Sequence, residues 1–249
     1  MSETDDQLAA RLATAAGALL LDLQFHSGLE GKPLGKAGDE MANAFLMREL
    51  RGARPNDAIL SEEEVDTSAR LAAHRVWIID PLDGTREYGE ATDGVWRTDW
   101  AVHIALAIDG SAAIGAVALP GFNMTLTSAS PLPRSPINTP LKMLVSRTRP
   151  AAEAVAVADA LGAELLPMGS AGAKAMAVVR GEADIYLHTG GQYQWDNCAP
   201  VAVAQAAGLH CSRVDGSPIV YNAAGISLPD LLICRKELVA PIRAALSAL

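Results

Sequence analysis

Three strand-then-helix units follow one another between residues 142 and 207, and a layered α/β arrangement is what such alternation folds into. Residues 142–146, 164–167 and 183–188 are short and apolar, as buried strands are. Among them, 150–161 reads as a helix with Pro150 at its opening position, 171–180 as a helix closed by Gly181, and 197–207 as one closed by Gly208. A stretch rich in Pro and Ser, 129–141, precedes this half and is the natural boundary of the chain. It separates residues 1–138, an α+β half, from residues 139–249, an α/β half.

The first half has its own pattern. Leu8, Leu12, Ala15, Ala16, Leu19 and Leu23 recur at helical spacing over 5–24. A second helix is expected over 39–50, with Asp39 near its start, where a carboxylate can cap free N–H groups. Val76-Trp77-Ile78-Ile79 is a buried strand running into a loop at Asp80-Pro81. Residues 100–119 read as two strands around the Asp109-Gly110 turn, and 89–98 as a mobile loop near the site.

The formal charge is −9, and no basic run exceeds a residue or two. That excludes a surface that tracks the phosphates of DNA or RNA. A small anionic ligand remains open, because a bound metal reverses the local field. No apolar stretch approaches the roughly 18 residues of a membrane span, and the acidic start MSETDDQLAA lacks the layout of a secretory signal. Cys198, Cys211 and Cys234 are odd in number and not spaced as CxxC, so neither a disulfide framework nor a structural zinc site is expected. The cytoplasm follows as the expected compartment.

The chemistry is concentrated in Asp80-Pro81-Leu82-Asp83-Gly84-Thr85, directly after the buried strand. Two carboxylates three residues apart in a tight loop can aim at one point, and an oxygen-only set suits a hard cation such as Mg²⁺. Pro81 stiffens the loop, Gly84 lets the backbone approach a ligand, and Thr85 offers a hydroxyl. If Gly84-Thr85 opens a helical turn, its free N–H groups make an anion site. Asp, Pro and Gly also build ordinary turns, so the reading rests on the whole string. Ser61-Glu62-Glu63-Glu64 has the spacing of a capping box, which would leave Glu62 free as a ligand. Asp196, after Trp195, stands where an N-cap precedes an apolar helix.

In this order, Glu62-Glu63, then DPLDGT, then Trp195-Asp196, the chain resembles the inositol-monophosphatase superfamily over nearly its whole length. DPLDGTREY and GSAGAKAMAV resemble most its phosphoadenosine-phosphatase branch of the CysQ type. The resemblance implies a layered α-β-α-β-α sandwich and a Mg²⁺-dependent phosphomonoesterase with two or three ions per site. Glu62, Asp80 and the Leu82 carbonyl would hold one ion, and Asp80, Asp83 and Asp196 a second. Gly84 and Thr85 would contact the phosphate, and Thr85 with Asp39 would orient the attacking water. Arg86, Gly169, Ser170 and Lys174, with Asp83 and Asp196, would face the substrate. That substrate would be 3′-phosphoadenosine 5′-phosphate, a by-product of sulfate assimilation, or else inositol-1-phosphate or fructose-1,6-bisphosphate. A cytoplasmic, Li⁺-sensitive homodimer without nucleic-acid or membrane partners is implied too.

The chain departs from the pattern at Lys36, where Thr often stands three residues before Asp39, at Ala171 in place of a second Ser, at His188 for Arg and at Gln194 for Glu. These positions lie around the substrate, so catalysis is more firmly implied than specificity. Trp96 and Arg97 are candidates to cover a purine. Cys198, two residues from Asp196, would make activity oxidation-sensitive.

Overall fold

The computed structural model describes residues 3–249. Thr4 caps the first helix, α1 (Asp5–His26), its hydroxyl accepting from the Gln7 N–H. The first half continues α2 (Gly31–Ala53), β1 (Ala58–Ser61), β2 (Arg75–Asp83), α3 (Thr85–Gly89), β3 (Ala91–Thr92), β4 (Val95–Trp96), β5 (Ala101–Ile108), β6 (Ser111–Leu119) and β7 (Met124–Thr127). The second contains β8 (Lys142–Ser146), α4 (Ala152–Leu161), β9 (Glu164–Met168), α5 (Ala171–Val179), β10 (Ile185–His188), β11 (Gln192–Tyr193), α6 (Gln194–Ala206), β12 (His210–Ser212), β13 (Ser227–Leu228), β14 (Leu231–Cys234) and α7 (Val239–Leu246).

One sheet has the order β1-β2-β5-β6-β7 and the other β12-β14-β10-β8-β9. In the first, β1 lies parallel to β2 and the remaining pairs are antiparallel; in the second, β8 is parallel to both β9 and β10. The alternating side chains of β2 explain the layering. Trp77 and Ile79 pack with Leu8, Leu12, Leu20 and Leu46 of α1 and α2, while Val76 and Ile78 pack with Met176, Ala199 and Val201 of α5 and α6. A strand covered on both faces has to be apolar throughout. Val157 of α4 and Ile242 of α7 close the far side of the second sheet over Met143, Ile185 and Leu232. The result is the expected α-β-α-β-α sandwich.

Several local expectations need correction. α2 begins at Gly31, so Asp39 stands in its third turn and caps nothing. Ser61 does not open a helix: the chain turns at once, the Glu64 N–H returning to the Ser61 carbonyl. Its hydroxyl donates to Asn43 Oδ1, and Asn43 donates in turn to Glu64 Oε1, so the residues of the supposed capping box tie β1 to α2. The 89–98 segment is a small hairpin, β3 against β4, turning at Asp93-Gly94. Finally, α1 is apolar and long enough to meet the length of a membrane span, contrary to expectation; Leu8, Leu12, Ala16 and Leu20 are wholly buried against the first sheet.

Candidate active site

In a regular strand, residues three apart face opposite sides. Between Asp80, opposite His103, and Asp83, opposite Ala101, β2 has one residue more than β5, and the bulge restores both carboxylates to the same side. Gly84 then turns with φ +88°, and a Cβ there would lie 3.1 Å from that of Ser170, so only glycine fits both the conformation and the space. The short helix α3 starts at Thr85. Asp196 arrives from the second half in the first turn of α6, where its Oδ2 accepts the Tyr193 N–H at 2.7 Å. Oxygens of Asp80, Asp83 and Asp196 lie within 4.8 Å of one another. Glu62 is outside that triad but beside it: its N–H donates to the carbonyl of Ile79, the residue before Asp80.

Asp83 is set apart by its partners. Its carboxylate accepts from the Ser170 hydroxyl, from the Ala171 N–H at 3.1 Å and from the Gly172 N–H at 2.6 Å, with His103 Nε2 3.2 Å away. Burial works against its charge, but His103, Ser170 and Gly172 prevail and hold its pKa at about 2. His103 Nδ1 donates to the Trp195 carbonyl at 3.0 Å, so one buried imidazole links Asp83 to the turn carrying Asp196. Oδ1 of Asp83, with a single donor, keeps a lone pair for a further ligand.

The remaining carboxylates shift the other way. Asp80 is driven well above the ordinary range by burial and by Glu62, Asp83 and Asp196. Glu62, pushed up to about 7, and Asp196, to about 6, respond to burial and to each other's neighbourhood of negative charge. Asp39 is also pushed to about 7, by burial and Glu63. The buried Lys174 spends its Nζ on the Gly169 and Ser170 carbonyls. An oxygen-only, mutually repelling group gathered around the buried Asp80 fits a hard divalent ion.

These shifts fix a sign. Groups whose folded pKa is raised stabilise fully below their unfolded values and lose that contribution as pH rises through about 6–7. Metal-free protein should therefore melt about 4–8 °C lower at pH 8 than at pH 5.5, a difference of about 2 kcal/mol after discounting for solvent, and added Mg²⁺ should close the gap. Differential scanning calorimetry with chelator checks this, and equal melting temperatures at the two pH values would refute it.

Beside the carboxylates lies a cavity of about 730 Å³ lined by Lys32, Lys36, Asp39, Glu63, Thr85 and Arg86, among others. The Thr85 hydroxyl is 3.1 Å from the Leu82 carbonyl and 3.4 Å from Asp39 Oδ1. Lys36 and Arg86 form exposed ion pairs with Glu40 and Glu90, contacts weak enough to be exchanged for a ligand.

Gly169, Ser170 and Lys174 do not face this cavity as expected. The Gly169 N–H goes to Asp99, the Ala171 and Gly172 N–H groups to Asp83, and Lys174 is buried over Tyr186, so the anion held by this helix start is the protein's own. Arg97 pairs with Glu90, and Trp96 packs partly buried against the first-half core. His188 turns to the Gly191 carbonyl, and Gln194 is buried against residues 222–225. Burial pushes the Cys198 thiol far up, which removes the basis for an oxidation switch. Asp99, which holds both Arg147 and the Gly169 N–H, was not foreseen; an isolated Asp in a loop carries no local signal.

The fold, the carboxylate triad and the sequence together place the chain in the inositol monophosphatase family, whose pattern matches residues 3–246. It is a phosphoric monoester hydrolase of that family. Among its relatives, a 3′-phosphoadenosine 5′-phosphate phosphatase of Mycobacterium leprae is 48% identical, over 96% of this chain and 92% of that one. A protein of the same name from Mycobacterium bovis is 50% identical over 91% of this chain and 87% of the other. Among solved structures, CysQ from Bacteroides thetaiotaomicron superposes with a TM-score of 0.78 at 21% identity, covering 94% of this chain and 98% of that one.

Proposed function

We propose that the chain is a Mg²⁺-dependent phosphomonoesterase that removes the 3′-phosphate of 3′-phosphoadenosine 5′-phosphate. The observation that carries the reading is the triad of Asp80, Asp83 and the half-buried Asp196, close to a cavity lined by Asp39, Glu63, Thr85 and Lys32 together with the Lys36–Glu40 and Arg86–Glu90 ion pairs. The name carried by relatives 48–50% identical supports the choice of substrate.

Glu62, Asp80 and the Leu82 carbonyl would hold one Mg²⁺, and Asp80, Asp83 and Asp196 another, with two or three ions per site in all. Bound there, the ions supply charge neutralisation at the phosphoryl oxygens and acidify water. The protein's part is positioning and proton handling. The first N–H groups of α3 are unpaired within the helix, and with Gly84 they present donors to the phosphate. Thr85 and Asp39 orient the attacking water, and a carboxyl whose pKa is about 7 can take up its proton near neutrality. Water's oxygen bonds to phosphorus as the bond to the ribose 3′-oxygen breaks. The departing oxygen takes a proton from solvent, giving AMP and inorganic phosphate, and Asp39 returns the water's proton to solvent. Lys32, Lys36 and Arg86 meet the second phosphate. In this reading the enzyme works as a Li⁺-sensitive homodimer in the cytoplasm.

Phosphate release with Mg²⁺ tests the assignment by comparing kcat/KM for the nucleotide, inositol-1-phosphate and fructose-1,6-bisphosphate. A preference of about a hundredfold for the nucleotide, or about 2.7 kcal/mol of differential transition-state binding, is expected. Comparable turnover of the sugar phosphates would discard the nucleotide and leave the carboxylate site in place.

A further inference from the structure

Tyr193 is a large aromatic side chain left half-exposed, at 48%, immediately before α6. Its ring lies over that of Trp195, with centroids 4.8 Å apart and planes inclined by 16°. Trp195 in turn is buried, and its carbonyl is fixed by His103. One face of the tyrosine is thus covered by an immobile indole, and much of the ring remains open to solvent. The same residue's N–H donates to Asp196 Oδ2 at 2.7 Å, so the ring belongs to the backbone turn that carries a carboxylate of the triad. An exposed aromatic ring backed by a second ring, attached to a phosphate-handling site, has the chemistry to receive a flat π-system. Inositol and fructose have none.

We propose that Tyr193 is the platform on which the nucleobase of a 3′-phosphorylated nucleotide stacks, and that this contact separates nucleotides from polyol phosphates. The inference rests on the nucleotide reading above and adds the residue that reads the base. Because the bond to Asp196 comes from the backbone of Tyr193, truncating the side chain leaves that bond available.

The test uses full-length protein with Mg²⁺ and the variants Tyr193→Ala and Tyr193→Phe. Steady-state rates are measured on 3′-phosphoadenosine 5′-phosphate and inositol-1-phosphate, and AMP binding by calorimetry. Stacking on one aromatic ring predicts that Tyr193→Ala loses about 5- to 100-fold in kcat/KM on the nucleotide, mostly through KM, with a matching loss of AMP affinity. Its rate on inositol-1-phosphate should stay within about twofold, and Tyr193→Phe should behave as wild type, since stacking needs the ring and not the hydroxyl. If wild type prefers the nucleotide and Tyr193→Ala keeps both that preference and its AMP affinity, this inference falls alone. Equal losses on the two substrates would also overturn it, by showing a disturbed Asp196 turn. Wild-type protein that hydrolyses inositol-1-phosphate but not the nucleotide would overturn the substrate assignment and this inference with it.

Discussion

Asp80→Asn should abolish measurable turnover while making the metal-free protein more stable. Asp80 is 1% exposed, and its Oδ1 accepts the Leu82 N–H at 3.0 Å, a bond the asparagine oxygen can keep. The substitution is therefore close to isosteric and removes mainly charge. Outer partners of metal ligands typically cost about 10–100-fold when lost, and Asp80, which the proposed function places in direct contact with the metal, should cost at least about a thousandfold in kcat/KM. In the absence of metal the same charge is a liability, since burial and Glu62, Asp83 and Asp196 all oppose it. Its removal should raise the melting temperature in chelator at pH 8 by about 2–4 °C, or about 1 kcal/mol, and shrink the further rise produced by Mg²⁺. Retained activity within about tenfold, or a lower metal-free melting temperature, would show that Asp80 is not the centre of the cation site.

How much of this could be read from the chain depends on how local the cause is. DPLDGT was legible as chemistry because its two carboxylates, Pro81, Gly84 and Thr85 stand in consecutive residues after a buried strand, but the strand does not end at Ile79 as expected: β2 runs on to Asp83, and the bulge that aligns Asp80 with Asp83 shows only against β5. The start of α2 was not, because Gly31, Gly35 and Gly38 argue against a helix on propensity. Packing overrides them: a Cβ on Gly35 would come within 2.7 Å of Thr85 Cγ2, and one on Gly38 within 2.8 Å of Tyr88 Cε1. Those close contacts press α2 against α3 and bring Asp39 to Thr85. Ser61 and Glu64 misled for the same reason, since their partner Asn43 lies on another element. The GSAG stretch was legible as a helix start, and its N–H groups are taken up by the protein's own carboxylates. The carboxylate that fills it comes from Asp83, nearly ninety residues earlier, a pairing that no window of sequence displays.

Asp83→Ala should act on metal-free stability in the opposite sense to Asp80→Asn. The side chain of Asp83 does not merely join the repelling set. It accepts the otherwise unpaired N–H groups of Ala171 and Gly172 at the start of α5 and holds Ser170 and His103, thereby joining β2 to α5 and α6. Removal leaves several buried donors without an acceptor, the situation in which breaking a buried charge pair costs about 3–5 kcal/mol. In a chain of this length that is a fall of about 6–20 °C in melting temperature. The pKa of about 2 gives the pH window: the stabilisation is complete above the unfolded value of 3.8 and fades as pH falls through the folded one. At pH 7 in chelator the deficit should thus be at full size. Asp83→Asn should fall between wild type and alanine, because one amide oxygen still accepts while the new NH₂ meets donors. Activity alone cannot separate the two aspartates, since losing either should silence the enzyme. Calorimetry without metal can: a rise for Asp80→Asn and a fall for Asp83→Ala mean that one carboxylate is there for the cation and the other also for the fold. If Asp83→Ala melts at or above wild type, the start of α5 is held by Ser170 and Asp99 without it, and Asp83 is a ligand only.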